Sequence, residues 1–498
     1  MKCKTTIYAV VFFSFCIYGF IVVPQTKNNS ILKISNETQD CISCHESVTP
    51  GIVSDWRTSL HSKNTFELAE QKPALEKLVS SSNVADNLKN VVVGCYECHS
   101  LNAIKHKDNF DHFGYKINVI VTPKDCSTCH SQEYNEYSNS KKANALDNLR
   151  KNFLYHTLVN NTIGTKDYKH GKIITLEASS FSKNESCYAC HGTEVKVIGT
   201  IKVKTDLGDI EEPKLTNWPN QGVGRINPDS SKGSCTSCHP RHSFSIAVAR
   251  NPNTCEQCHL KPDVPAYNIY IESKHGNIFE SKKESWNWDN VPWKLGKNFT
   301  APTCSVCHNS LITSPAGDVI VQRTHDFGSR LWVRIFGAIY SYPQTKDGRT
   351  YLIKNKDGLP LATTFTDIPA SDFLIDAKFQ NQRKETMEHL CSSCHSTDWI
   401  KSYFEKMDTT LAEADKMVAV STKIMLNVWG KKLADKSNPF DELIEQKWVQ
   451  QWLFYANSLR YSAAMSGPDY AAFENGWWQL TKNLNEMLLI AHQLENGK

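Results

Sequence analysis

The residues that can do chemistry recur as one five-residue box, Cys-x-x-Cys-His, written eight times in this chain of 498 residues. The boxes are Cys41, Cys44 and His45; Cys95, Cys98 and His99; Cys126, Cys129 and His130; and Cys187, Cys190 and His191. Then come Cys235, Cys238 and His239; Cys255, Cys258 and His259; Cys304, Cys307 and His308; and Cys391, Cys394 and His395. Two thiols at this spacing form thioether bonds to one porphyrin, and the histidine beside the second becomes an axial ligand of its iron. Zinc ribbons and redox-active Cys-x-x-Cys pairs need no histidine after every second cysteine. Composition alone would give roughly 0.02 such boxes in a chain of this size, so chance is excluded. The chain therefore reads as a carrier of eight covalently bound c-type haems. The boxes consume 16 of the 18 cysteines, and Cys3 and Cys16 lie in the N-terminal leader. No thiol is left beyond the leader for a disulfide or for nucleophilic catalysis.

An electron-relaying haem needs two strong axial ligands, whereas a catalytic haem leaves one position open. Outside the boxes stand ten histidines. Seven doubly ligated haems and one open haem would use seven of them, but the supply also allows eight closed haems. His61, His112, His242, His275 and His325 are the leading distal ligands, followed by His106, His156 and His170. His389 lies two residues before Cys391, beside its own box, and His492 lies beyond the last box; neither is expected to reach an iron.

The elements that must position these groups are short. At about one haem per 62 residues, porphyrin faces supply much of the core that aliphatic side chains normally supply. Asp55 to His61 reads as a helix presenting its histidine, and Phe113 to Val121 as an extended run into the third box. Residues 131 to about 160 read as helical, and Glu194 to Lys204 alternates apolar and polar residues as a strand or hairpin does. The Asp-, Pro-, Asn- and Gly-rich segment 205–232 reads as a loop over the haems. Asp347-Gly348 and Asp357-Gly358 flank Tyr351 to Lys354 as a hairpin pair would. After the eighth box, apolar residues recur at three and four: Tyr403, Met407, Leu411, Ala414 and Val418; Phe440, Ile444, Trp448 and Trp452; Leu480, Leu484, Met487 and Ala491. Three helices are expected, near 397–430, 440–465 and 474–495, forming either a packing bundle within one chain or an oligomerisation bundle. The fold class is thus mainly α with little β: a haem-packed domain over 28–396 and a helical region over 397–498.

Residues 1–27 have a basic start and an apolar run from Ile7 to Val23, which reads as a signal peptide or an N-terminal anchor. Covalent haem attachment is extracytoplasmic chemistry, so export is expected in either case. The formal charge of +4 omits the haems. With two propionates each and one positive charge at each ferric centre, the balance becomes about −4 oxidised and about −12 reduced. Nothing in it favours a nucleic-acid partner.

Several segments between the boxes resemble the hydroxylamine oxidoreductase family of octahaem cytochromes. They are Cys235 to Ser245 with Ala249, Arg250 and Pro252; Glu272 to Gly276; Val121 to Asp125; Thr324-His325-Asp326; and Pro468-Asp469-Tyr470. The resemblance covers essentially the chain beyond the leader. It implies a homotrimer joined through the C-terminal helices, with seven bis-histidine haems as wires and the haem on Cys187, Cys190 and His191 as the open, reacting one. In oxidative members that haem is also cross-linked to a tyrosine from a neighbouring subunit. Tyr461 is the lead for that role here, with Tyr470 as the other candidate. Substrates implied are small nitrogen compounds: hydroxylamine, hydrazine, nitric oxide or nitrite. The implied redox partner is a soluble c-type cytochrome or a small haem subunit.

Two departures stand out. The family's Asp-His pair after the sixth box reads Pro262-Asp263-Val264 here, and its histidine before Pro-Asp-Tyr is Met465. The resemblance makes Asp263 the remaining proton carrier. Loss of two imidazoles, the side chains best suited to shuttle protons near neutral pH, is expected to slow multi-proton chemistry such as N–O cleavage. Two readings follow: an oxidoreductase acting on a small nitrogen compound, or a catalytically silent octahaem electron-transfer or scaffold subunit of a larger haem complex.

Overall fold

A computed structural model describes residues 32–205, 208–465, 467 and 472–497 of the chain. The leader, with its expected signal or anchor, and Tyr470 lie outside the described residues.

Each box folds as a single helical turn, because only that geometry brings a residue, the third after it and the fourth after it onto one face. Boxes two, four and seven are five-residue helices of their own: Cys95–His99, Cys187–His191 and Cys304–His308. The first lies inside the longer helix Asn36–Val48. In the remaining boxes a backbone bond from the histidine N–H to the first cysteine's carbonyl closes the turn, as at His259 to Cys255, 3.0 Å. Both thiols and the imidazole therefore face one way.

Between the boxes the chain is mostly short helices and two-stranded hairpins. Helix Pro50–Thr58 ends one turn before His61, as the sequence suggests. The extended run begins later than expected: Phe113 and Gly114 form a positive-φ turn, and Tyr115–Asn118 pairs antiparallel with Asn109–His112. Residues 131–163 form three helices rather than one: Ser131–Asn139, Ala145–Arg150 and Phe153–Ile163. Asn152 starts the last of these by accepting bonds from the backbone N–H groups of Leu154 and Tyr155 at 3.1 and 3.2 Å.

Two loop and strand expectations need correction. The hairpin starting at Lys196 runs on into the supposed loop, with Lys196–Thr205 paired to Gly208–Thr216. Its second strand reads as polar because it is exposed, and cross-strand pairs such as Lys202 with Glu211 compensate for the missing core face. Conversely, Tyr351 to Lys354 is no strand. Thr350–Leu352 is a 3-10 turn. Asn148 holds it: its Oδ1 accepts from Tyr351 N at 3.3 Å and its Nδ2 donates to Gly348 O at 2.8 Å, replacing a partner strand.

The C-terminal region follows its periodicity. Helix Thr397–Gly430 buries Met407, Leu411, Ala414, Val418 and Met425. A second helical rod runs through Leu443–Val449, a π turn at Gln450–Tyr455, and Ala456–Ala464. The third ends in Gln479–Glu495 and buries Leu480 and Met487 against the others. Trp429 Nε1 donates to Glu445 Oε1 at 2.6 Å, and Trp448 Nε1 to Thr422 Oγ1 at 3.1 Å. Most of the largest aliphatic and aromatic cluster belongs to this bundle. The bundle is joined to the haem domain through Arg460, which is buried, pairs with Asp415 and donates to Ile339 O at 3.1 Å. Among the described residues, no helix is long and apolar enough to cross a membrane.

Candidate haem centres and active site

The haem-box domain encloses one continuous cavity of about 1890 Å³. All eight box histidines line it, together with His61, His112, His242, His275 and His325. The fit of these rings to iron is visible in their hydrogen bonds. Nδ1 is held by Asn118 O in His99 (2.7 Å), Leu78 O in His130 (3.0 Å), Ala145 O in His191 (3.2 Å) and Phe327 O in His308 (3.3 Å). A carbonyl accepting from Nδ1–H fixes the tautomer and leaves the Nε2 lone pair for a metal. Burial pushes His239 and His308 down to about 4 and His259 to about 3, keeping the rings neutral as ligation requires.

Two imidazoles bound to one metal at about 2.0–2.1 Å have ring centres roughly 6.2–6.4 Å apart. His45 and His112 stand 6.1 Å apart, His61 and His130 6.2 Å, and His275 and His395 6.2 Å. His242 lies close enough to His99, and His325 to His239, for their charges to interact. The residues brought together thus leave room for a haem between five of the box histidines and a second ring.

Three other candidates are placed elsewhere, and a haem ligand at these positions does not fit. His106 is buried with Nδ1 on Asp108 at 2.9 Å and Nε2 on Asp125 at 3.1 Å. Burial works against its charge, but the two carboxylates prevail and push its pKa up to about 10. Both nitrogens are engaged. His156 shares Nδ1 with Asn160 at 3.3 Å and does not line the cavity. His170 is exposed at the tip of the hairpin Lys166–Lys169 and Lys172–Thr175. His389 and His492 are exposed on their helices.

Thiol contacts order the boxes in space. Hydrogen-bonding contact joins Cys41 to Cys95, Cys126 to Cys235, Cys190 to Cys258 and Cys255 to Cys304. Cys98 lies near Cys129, Cys238 near Cys255, and Cys307 near Cys391. The boxes therefore run one, two, three, five, six, seven, eight, and box four branches from box six.

Box four has a different setting. Gly192 takes φ +100, and the backbone of Gly224 and Arg225 passes so close that an added Cβ would lie 2.3 Å from Arg225 N. That loop grips the box: Val223 N donates to Cys190 O at 3.0 Å and Gly224 N to His191 O at 3.1 Å. The charged groups that act on His191 are Asp263 and Arg334. Burial raises the Asp263 carboxyl, opposed by its own and Val264's backbone N–H groups and by His191. Asn457 from the bundle donates to Asp263 O at 3.4 Å. Tyr461 is buried and pushed up to about 12 by burial, within reach of the Arg334 and Asp263 charges. Arg334 hydrogen-bonds Tyr342, while its Nε is buried without a partner. Met465, Tyr155 and Val264 also line the cavity. Tyr461 thus lies buried in its own chain, near its own Asp263. Arg334 carried no sequence signal, since nothing in Leu331 to Gly337 resembles a motif.

Comparison with known proteins agrees with this architecture. A family model for seven-times multihaem Cys-x-x-Cys-His cytochromes matches residues 223–325 and 363–437, and one for cytochrome c554 and c-prime matches 40–115 and 125–211. A solved structure described as a hypothetical multihaem protein is 43% identical, covers 94% of this chain and 97% of its own, and superposes with a TM-score of 0.87. A reducing HAO-like protein complex of Kuenenia stuttgartiensis shares the fold at 18% identity over 92% of this chain and 85% of its own, with a TM-score of 0.61. A probable nitrite reductase-hydroxylamine oxidoreductase fusion protein of the same organism is 25% identical over 79% of this chain. The chain spans 38% of that relative's length. Motif, cavity and matches define a multihaem c-type cytochrome with a redox role. Within that class, the chain belongs with the 43% identical multihaem protein, and it shares its fold with the HAO-like protein of the Kuenenia complex.

Proposed function

We propose that this protein is an octahaem oxidoreductase that converts a small nitrogen compound at an open haem on Cys187, Cys190 and His191, while the other haems relay electrons. The observation that carries the reading is the company of His191: Asp263 and Arg334 act on it, with Tyr461 beside them, where five of the other box histidines meet a second imidazole. When bound, the haem supplies a Lewis-acidic coordination position and electrons one at a time.

The chain's own residues do the rest. Arg334, with a donor to spare, favours an anion such as nitrite in this water-poor setting. Asp263, its carboxyl raised by burial, keeps a proton at higher pH than an ordinary aspartate and can pass it to a departing oxygen. Tyr461 stays neutral and donates a hydrogen bond without ionising. Reduction of nitrite to nitric oxide and water takes one electron and two protons. It suits a pocket with one carboxyl carrier better than six-electron ammonia formation does. Electrons reach or leave box four through box six, whose thiol it touches.

Around this centre we place a homotrimer formed through the C-terminal helices, an extracytoplasmic location, and a c-type cytochrome or small haem subunit as redox partner. Direct assay with nitrite and a low-potential donor, and with hydroxylamine or hydrazine and an oxidised cytochrome, tests the reading. Nitric oxide formation that falls at least tenfold in Asp263→Asn supports it. Absence of turnover with every one of these compounds, in protein carrying its full haem content, overturns it.

A further inference from the structure

Three segments of this chain end a helix in the same way. They are Trp56 to His61, Tyr137 to Lys142 and Tyr270 to His275. Each has a buried aromatic residue followed three positions later by a buried serine: Trp56 and Ser59, Tyr137 and Ser140, Tyr270 and Ser273. The serines close their helices with nearly one backbone conformation, at φ/ψ of −66/159, −74/162 and −72/164. In each, the serine N–H donates to the aromatic residue's carbonyl, at 2.9, 2.9 and 3.0 Å. In each, the serine Oγ accepts from the N–H three residues on: Ser62 at 3.1 Å, Ala143 at 3.4 Å and Gly276 at 3.1 Å.

This shared frame aims the side chain two residues past the serine. In the first and third segments that residue is His61, facing His130 at 6.2 Å, and His275, facing His395 at 6.2 Å. In the second it is Lys142, which also lines the haem cavity. Its Nζ lies 4.8 Å from the centre of the Phe327 ring, and it forms no ion pair among the described residues. Lys142 is the foremost charged neighbour of both His259 and His308 and also bears on Cys238, but box six is the box in which it bears on the histidine and on both thiols, Cys255 and Cys258. Neither thiol of box seven feels it.

We propose that Lys142 is the distal axial ligand of the haem on Cys255, Cys258 and His259, standing where a frame of this type elsewhere holds a histidine. On binding, the ammonium gives its proton to solvent and the free amine lone pair forms the bond to iron. Axial ligand identity sets haem potential. The one haem touching box four would then differ electronically from the haems that stand between two imidazoles. The assignment concerns box six and stands apart from the reading of box four.

Near-infrared magnetic circular dichroism and low-temperature EPR of the ferric holoprotein test it, because histidine–amine and bis-histidine haems have different charge-transfer bands. Wild type should show one histidine–amine haem per chain. Lys142→His should convert that band to bis-histidine with haem content unchanged. Lys142→Ala should add one high-spin haem per chain, which imidazole returns to low spin. Spectra of Lys142→His and Lys142→Ala both identical to wild type at full haem loading would overturn the assignment. A ferric nitric oxide adduct at box four, unchanged by either variant, keeps this result separate from the fate of the proposed active site.

Discussion

A histidine in this protein has its role decided by what holds its nitrogens. The box motif gives the proximal role outright, since spacing of three and four residues places two thiols and an imidazole on one helical face. The distal role is only half legible. His61 and His275 look like ligands in the sequence and stand opposite a box histidine, whereas His106, a candidate of the second rank, is clasped by Asp108 and Asp125. Those carboxylates are near in sequence, but their approach depends on the Thr122 turn, which no motif announces. Arg334 was illegible for the same reason: only tertiary packing sets it beside His191. At this scale, the raised Asp263 carboxyl predicts a turnover number that falls as pH rises through its pKa, because the acid form is lost. Asp263→Asn should be slower by about 10²–10⁴-fold and lose that fall, as a kcat profile against pH would record. An unchanged profile would remove Asp263 from proton transfer.

Elements here serve as aiming devices more than as core. Serine-ended helices point ligands inward, and the loop at Val223 and Gly224 grips box four through two backbone bonds. Their period is too short for hydrophobic patterning to expose, which explains why the polar second strand Gly208–Thr216 was read as loop. The C-terminal helices were legible because they bury side chains in the ordinary way, although the π turn at Gln450–Tyr455 left no sequence mark. Within that bundle Glu445 is fully buried under Trp429 and is pushed up to about 9 by burial and by its contact with Glu442. A carboxyl raised in the fold stabilises it while protonated. That stability is full below the unfolded value of 4.5 and is lost as pH rises to about 9. The thermal unfolding midpoint should therefore fall as pH rises across this window, and Glu445→Gln, which cannot ionise, should flatten the decline. An equal slope in both proteins would contradict it.

At the scale of the whole molecule, thiol contacts describe a continuous line of boxes with one branch, and box six is the junction. Any electron entering or leaving box four through this line passes the haem that Lys142 faces. The line itself was not readable from sequence, where box four simply precedes box five. Its order comes from the way Cys190 packs on Cys258 while Cys126 reaches Cys235. Trimer formation through the C-terminal helices predicts a single species of three chains in sedimentation equilibrium, and a stable monomer at micromolar concentration would contradict it. The central claim is that one haem per chain keeps an open face. Ferric EPR of the holoprotein, recorded before and after adding nitric oxide, hydroxylamine or nitrite, tests it most directly. The account predicts a high-spin haem at box four that at least one of these ligands alters. Haems that are all low-spin and indifferent to every ligand would contradict it.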